Sequence, residues 1–547
     1  MNDIMELDAP YTCVAPDGSF CYALHLPSFY VKNLRSNTLM MPIGLLDEGG
    51  VEVDNSVNFP SGDLEIKGAE GVYEIPNPFS FWGATYILRS QADKLAAAPH
   101  GFRFRHEDRK AETPILLDAL LKGRLKDENG GCYSLTDLPR TLLLALAQTS
   151  RDPEILKAIA SLSCGIELGP DERPVGLRYI KDASGRVRPV IRDDDMFDVV
   201  INNPALPDSY KQAMALIPGV QGPNPIVGEY GPEGDTHVWE YMRANSYIPW
   251  GHYASNMAHD SIRYSVSRLE HKDLTGLRTL YYQRIYVQLA ISLGLALPGD
   301  GIHFSGEDLE GLRSMVAAAI EERVRSGDDI PFNATLWGWN YGFDFSPSGY
   351  RLHASHQQIH QQFALIPKKA DSAGGGGKLP TYAIGDQVAR FAANYRRRHG
   401  VPFFDAYIKA IYSNKRPDSR DDLPESLVIH EDENVIVHAP KAQRSQGEVQ
   451  IMARSTVGNI VEAGEGVRRS LDAAIYLVMK GFHSLGAEMV TCYEVSKRFD
   501  NPDTDQRLFY CFLPRHPQSP GAFSEHQGRW VTGHYPEDFV VAFKNAI

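Results

Sequence analysis

Ala354-Ser355-His356-Gln357-Gln358-Ile359-His360-Gln361-Gln362-Phe363 is the stretch on which the fold turns. It follows Trp339-Asn340-Tyr341-Gly342 and leads into Phe363-Ala364-Leu365-Ile366-Pro367, an apolar strand end. Alternate side chains of a strand share a face, so an extended chain here gathers Gln358, His360 and Gln362 on one side. Neutral imidazole is nucleophilic near pH 7, and phosphoimidazole is a good leaving group. Gln362 and Ser355 can donate hydrogen bonds to non-bridging phosphoryl oxygens without the repulsion a carboxylate would bring. The other reading of the run is a polar strand that carries a satisfied histidine.

Working outward, helices are predicted over about 273–294 and 307–326, the second opened by Ser305 with Glu307 and Asp308 in its first turn. A strand, Pro331 to Tyr341, and a loop, Phe345 to Tyr350, lead to the histidine strand. Beyond it, the glycine run of Ser372 to Lys378 reads as a mobile or phosphate-facing loop, though no Walker motif is in register. A helix follows over Asp386 to Arg398, where the Arg396-Arg397-Arg398-His399 run suits a helix C-terminus. Arg416 to Glu425 reads as a connector.

From Leu427 the pattern restarts. Strands at Val435–His438 and Glu448–Ala453, a helix over Gly466–Leu485, and strands at Met489–Val495 and Arg507–Leu513 echo the order of residues 235–367. Asp505-Gln506-Arg507 stands where the first copy has histidines, so the chain reads as an internal duplication with one chemically degenerate half. The expected organisation is a region of unknown role (1–200), a first half with the active site (201–370), a linker and helix (371–426) and a second half (427–547). In the N-terminal region, Phe81 to Leu88 reads as a strand, Asp137 to Ala147 and Asp152 to Leu162 as helices, and Arg188 to Asp198 as a surface excursion.

The ordered set Asn245-x-Tyr247-x-Pro249-x-Gly251-His252, two helices, Asn340-x-Gly342, and Ser355-(four residues)-His360-x-Gln362 resembles the histidine-triad superfamily. It looks most like the branch of galactose-1-phosphate uridylyltransferases and diadenosine polyphosphate phosphorylases, whose catalytic strand reads Ser-x-x-His-x-His-x-Gln. Ser355, His360 and Gln362 match the serine, second histidine and glutamine, while Gln358 stands at the first histidine.

The resemblance implies an α+β fold of two histidine-triad-like halves, an antiparallel sheet covered by helices. It implies nucleotidyl transfer through a covalent nucleotidyl-His360, from a nucleoside polyphosphate or nucleotide sugar to a phosphate-bearing acceptor. Asn340 and Gly342 would lie by the phosphate or ribose, and Asn245 and Tyr247 by the nucleoside, with Gln358 and His356 near the same substrate. Arg351 and Lys368, with Lys369, flank the strand and could neutralise phosphates.

His353, His356 and His360 form His-x-x-His-x-x-x-His, which could bind a metal if the segment were helical. A divalent ion is therefore an open option. No zinc is expected at Gln358, a poor zinc ligand. His252, His516, His526 and His534, with Glu537, read as packing or interface residues. Two competing functions stay open: a non-catalytic nucleotide-binding protein of the same fold, and a metal-dependent phosphohydrolase.

Composition bounds these readings. With 547 residues, 43% apolar composition and a net charge of −14, the chain can bury a large core and is a poor general partner for nucleic-acid backbones. Six scattered cysteines without a CxxC pair argue against disulfide frameworks and thiolate zinc sites. No apolar run approaches the ~20 residues needed to span a bilayer, and the acidic first residues lack the apolar core of a signal peptide. A reduced cytoplasmic protein without membrane contact is expected, with a homodimer an open assembly.

Overall fold

Strands built from almost uninterrupted apolar residues have no solvent face, and Val435–His438 and Val449–Ala453 are buried along their whole length in the computed structural model. The structure describes residues 11–32, 42–45, 49–54, 62–68, 70–104, 134–183, 185, 187–201, 203, 205–214, 270–301, 304–342, 360–487, 489–503, 505–515 and 522–547. The two strands belong to a seven-stranded sheet: β1 (Ala334–Gly342), β2 (His360–Ile366), β3 (Val428–Glu431), β4 (Val435–His438), β5 (Val449–Ala453), β6 (Met489–Val495) and β7 (Phe509–Pro514). Their order is β2-β1-β6-β7-β5-β4-β3, and every pairing is antiparallel. The hairpins β1-β2 and β6-β7 meet through their first strands, with Asn340 opposite Thr491.

One face of the sheet packs against α1 (His271–Leu293), α2 (Gly306–Ser326), α5 (Glu465–Ser484) and α6 (Pro536–Lys544). Trp337, Trp339 and Tyr341 of β1 point into this layer with Val435, Val437, Ile451 and Tyr510. The sequence signals at the helix ends operate as expected. Ser305 caps α2 by accepting from the Asp308 amide at 3.1 Å, and the Asp308 carboxylate accepts from the Ser305 amide at 3.0 Å. The other face is covered over β4, β5, β7 and the end of β6 by α3 (Ile384–His399) and α4 (Phe403–Tyr412), with Phe391, Phe403, Phe404 and Tyr407 against Ile436, Met452, Phe509 and Cys511.

Residues 371–426, expected as a linker with one helix, therefore form a covering layer. Its aromatic second helix has apolar side chains on one flank, which buries them as a core element rather than a connector. The glycine run, expected as a mobile or phosphate-facing loop, is exposed and forms a turn. It closes a hairpin between Lys369–Asp371 and Lys378–Pro380, with the Ser372 amide bonded to the Gly377 carbonyl at 2.8 Å.

The N-terminal region divides. Strands Ala23–His25, Val72–Pro76 and Ala84–Leu88 form a four-stranded sheet with the C-terminal strand Arg529–Thr532, the last pairing being parallel. Phe79 and Trp82 from this sheet pack on Phe509. The predicted strand Phe81–Leu88 begins only at Ala84, because Ser80–Trp82 makes a short 3-10 turn. Gly83 leaves that turn at φ 77°, and a Cβ there would lie 1.9 Å from the Gly528 carbonyl oxygen, so only glycine fits the crossing.

Residues 134–214 build a separate hydrophobic cluster from helices Arg140–Thr149, Pro153–Ser163, Asp194–Ile201 and Asp208–Met214. The expected surface excursion at Arg188–Asp198 is partly core, since Met196 and Phe197 are buried in this cluster. No helix among the described residues is long and apolar enough to cross a membrane. The described cysteines, Cys13, Cys21, Cys164, Cys492 and Cys511, are free thiols.

Candidate active site at the open edge of the sheet

Among the described residues, nothing covers the second face of the sheet over β1 and β2, where Leu336 and Gln362 are exposed. Antiparallel register sets position 360 opposite Asn340 and Gln362 opposite Gly338, and on the other side of β1 it sets Asn340 opposite Thr491 and Gly338 opposite Tyr493. Odd-numbered residues of β1 are in the core, so Gly338 and Asn340 lie on the open face, with Gln362 exposed beside them. Gly338 has a packing reason to be glycine: a Cβ there would sit 2.9 Å from the Cys492 carbonyl oxygen. Asn340 is oriented by Thr491, whose hydroxyl donates to its side-chain oxygen at 2.8 Å. That leaves the Asn340 amide group able to donate away from Thr491.

Gln361, which the sequence reading did not single out, ties this edge down. Its side-chain oxygen accepts from the Trp337 indole at 3.0 Å, and its amide donates to the Leu277 carbonyl of α1 at 3.1 Å. The residue between positions 360 and 362 is thus fixed to the helix layer behind the sheet. That layer is itself rigid. Buried Arg278 bonds Asp472 at 2.9 Å and the Tyr282 and Tyr510 hydroxyls at 2.9 and 2.7 Å, and Tyr510 donates to Glu494 at 2.6 Å. Burial raises the carboxyls of Asp472 and Glu494, against which Arg278 pulls them down. No local sequence signal links these groups, which come from α1, α5, β6 and β7.

The structure brings Asn340, Gly342, position 360 and Gln362 together on adjacent strands. Ser355, His356, Gln358, Arg351, Asn245 and Tyr247 lie outside the described residues. So do His252, His353 and His516. Lys368 is not brought to the site. It lies beyond the far end of β2, which is itself roughly 20 Å from position 360 at the rise of an extended strand, and pairs with Asp500 at 3.2 Å. Among the described residues, no group of three or more histidine, cysteine or acidic side chains gathers as a metal site.

Of the other residues expected to pack or form an interface, His534 and Glu537 are packed, whereas His526 is exposed. His534 meets Phe102 edge to face and accepts from the Gly447 amide at 3.1 Å, and Glu537 pairs with Lys441 at 2.6 Å, both fully buried. His438 of β4 is also fully buried, with its Nε2 at 3.2 Å from the Tyr407 hydroxyl, and burial pushes its pKa down to about 3.

No family model matches the chain, and no curated protein matches it. Among solved structures, the chain is similar to a galT-like protein from Arabidopsis thaliana at 12% identity and TM-score 0.30, covering 44% of this chain and 69% of that one. It is similar to a uridylyltransferase at 13% identity and TM-score 0.31, covering 44% and 68%. It is also similar to an ADP-glucose phosphorylase from Arabidopsis thaliana with bound ADP-glucose, at 14% identity and TM-score 0.30, covering 44% and 67%.

Proposed function

We propose that this chain is a nucleotidyltransferase or phosphorylase that works through a covalent nucleotidyl-His360. The observation that carries the reading is the register of β1 and β2. Four of the positions singled out in the sequence, Asn340, Gly342, His360 and Gln362, fall on neighbouring antiparallel strands where the described residues leave the sheet open. A histidine flanked by amides at such an edge is suited to phosphoryl chemistry, where catalysis is mostly positioning and charge stabilisation.

In this reading, an imidazole nitrogen of His360 attacks the α-phosphorus of a nucleoside polyphosphate or nucleotide sugar. The bond to the bridging oxygen breaks, and its electron pair leaves with the first product. Gln362, with Ser355, donates to the non-bridging oxygens. An oxygen of a phosphate-bearing acceptor then attacks the phosphoimidazole, and the nitrogen–phosphorus bond breaks to regenerate His360. Inorganic phosphate as acceptor makes the enzyme a phosphorylase, and a sugar phosphate makes it a uridylyltransferase type. The meeting of hairpins β1-β2 and β6-β7 through their first strands, each after a long helix, supports the duplication. The second copy, with Phe509 and Cys511 packed under α3 and α4, would then be architecture rather than a second site.

The test is intact-mass analysis of quenched protein after incubation with nucleotides and nucleotide sugars. One added nucleoside monophosphate per chain, absent in His360→Ala, is expected. No adduct with any donor, or an adduct that survives the substitution, overturns the proposal. Activity that follows added metal and leaves no adduct would favour a metal-dependent hydrolase.

A further inference from the structure

We infer that the cavity between the N-terminal sheet and the outer end of β7 is a second ligand site, built for a nucleotide. The cavity measures about 520 Å³, in the range of small-molecule sites, and its walls include Phe81, Trp82, Arg444, Gln446, Arg515 and Trp530. None of these residues belongs to the histidine strand. Two of them come from the N-terminal region, for which the sequence offered no role.

Its position relates it to the candidate site. Asn340, Thr491 and Leu513 stand opposite one another on β1, β6 and β7, on one face of the sheet, and Leu513 lines the cavity. At strand spacing, Leu513 is about 10 Å from Asn340. A ligand in the cavity therefore shares a surface with anything held at position 360.

The lining chemistry, two arginines against the single carboxylate of Glu525 beside His526, suits a flat ring bearing an anion. Phe81 is 38% exposed although its neighbours Phe79 and Trp82 are buried, which leaves an aromatic surface for a base to stack on. Trp530 and Pro514 continue that wall. Arg515 is exposed, and among the described residues no carboxylate pairs with it, so its guanidinium is available to a phosphate. Arg444 is held differently. Burial opposes its charge, but Glu448 beside it keeps the guanidinium ionised, and it lies 3.6 Å over the Trp82 ring. It shapes the floor rather than offering a free charge. Gln446 supplies an amide that can pair with a base edge or a ribose hydroxyl.

The walls are fixed before any ligand arrives. The Trp530 indole donates to the Trp82 carbonyl at 2.8 Å, the Ala84 amide to the Gly528 carbonyl at 2.8 Å, and the Ser445 hydroxyl to the Pro514 carbonyl at 2.6 Å. A preformed site spends little binding energy on ordering itself.

The choice of a nucleotide over another flat anion rests on the transfer chemistry proposed above, whereas the cavity does not. The experiment titrates the full-length chain with AMP, UMP, adenosine and inorganic phosphate by calorimetry, in the native protein and in Phe81→Ala, Arg515→Glu and His360→Ala. Circular dichroism confirms that each variant is folded. A nucleotide is expected to bind more tightly than adenosine or phosphate. Phe81→Ala and Arg515→Glu should each weaken it by about tenfold, the scale of one lost stacking contact, in the native background and in His360→Ala alike.

Photolabelling with 8-azido-AMP should mark peptides that contain Trp82 or Trp530. Native affinity in both cavity variants, label confined to other peptides, or phosphate binding as tightly as AMP overturns the inference. Cavity binding without a covalent adduct at His360 breaks the transfer mechanism and leaves this site standing. An adduct without cavity binding does the reverse.

Discussion

The second face of the central sheet is two different surfaces. Over β4, β5 and β7 it lies under α3, α4 and the N-terminal sheet, and its residues are buried except Leu513 at the cavity. Over β1 and β2 it carries Leu336, Gly338, Asn340 and Gln362, all at least partly open to solvent. Polar groups behave accordingly. Under the covering layer they must find partners inside the protein, as Lys441 does with Glu537, Arg444 with Glu448 and His438 with Tyr407. At the open edge no partner in the protein is compulsory, so residue choice there is free to answer to a ligand.

The sharpest way to break this comparison is at its two extremes. Replacing His360 by alanine should reduce turnover by roughly a thousandfold or more while leaving stability near native, as nucleophile removal does. Turnover within about tenfold of native would show that the open edge is not the reactive surface. In the covered region the cost should be in stability instead. Glu537→Ala strands buried Lys441, which also bonds the Lys415 carbonyl at 2.7 Å, and should cost about 3–5 kcal/mol in urea unfolding. A loss below about 1 kcal/mol would mean that this layer does not depend on its internal pairs.

Gln362→Ala separates the two properties within one residue. It should slow the chemical step by roughly two orders of magnitude, the value of one oxyanion donor, and change stability by no more than about 0.5 kcal/mol. Single-turnover kinetics and a denaturant melt on the same preparation decide it. The remaining test concerns pH. His438 is neutral when folded, with its pKa pushed down to about 3, whereas the unfolded chain takes up this proton below about 6.5. Its contribution to stability is therefore present above pH 6.5 and is lost as pH falls, at about 1.4 kcal/mol per unit. His438→Gln should flatten the stability profile between about pH 6 and 4 by one proton, and an unchanged slope would contradict the burial of this ring.

These contrasts also explain what could be read in the sequence. Strands β4 and β6 stand where alternation and apolar runs set them, and the Ser305 cap is visible as a local signal. That Gln362 and position 360 share a face was legible because periodicity decides which residues of one strand face together, whereas the register that sets Asn340 opposite position 360 was not. Gln361 was not, because its role needs Trp337 and Leu277, and the second depends on how α1 packs. Helix α4 was lost in an expected linker, since its aromatic face matters only once the sheet beneath it is known. The walls of the cavity were invisible for the same reason: Trp82 and Trp530 become neighbours only in three dimensions.

The parallel pairing of Ala84–Leu88 with Arg529–Thr532 has a consequence for biosynthesis. The first strand leaves the ribosome long before its partner has been made. At 5–20 residues per second, the interval between Ala84 and Arg529 is roughly 20 to 90 s. Through that time one edge of Ala84–Leu88 has no native strand to pair with, and Phe79 and Trp82 have no Phe509 to cover them. Completion of this sheet is therefore a late event in translation, and nascent chains that stop short of Arg529 should be the ones most in need of a chaperone.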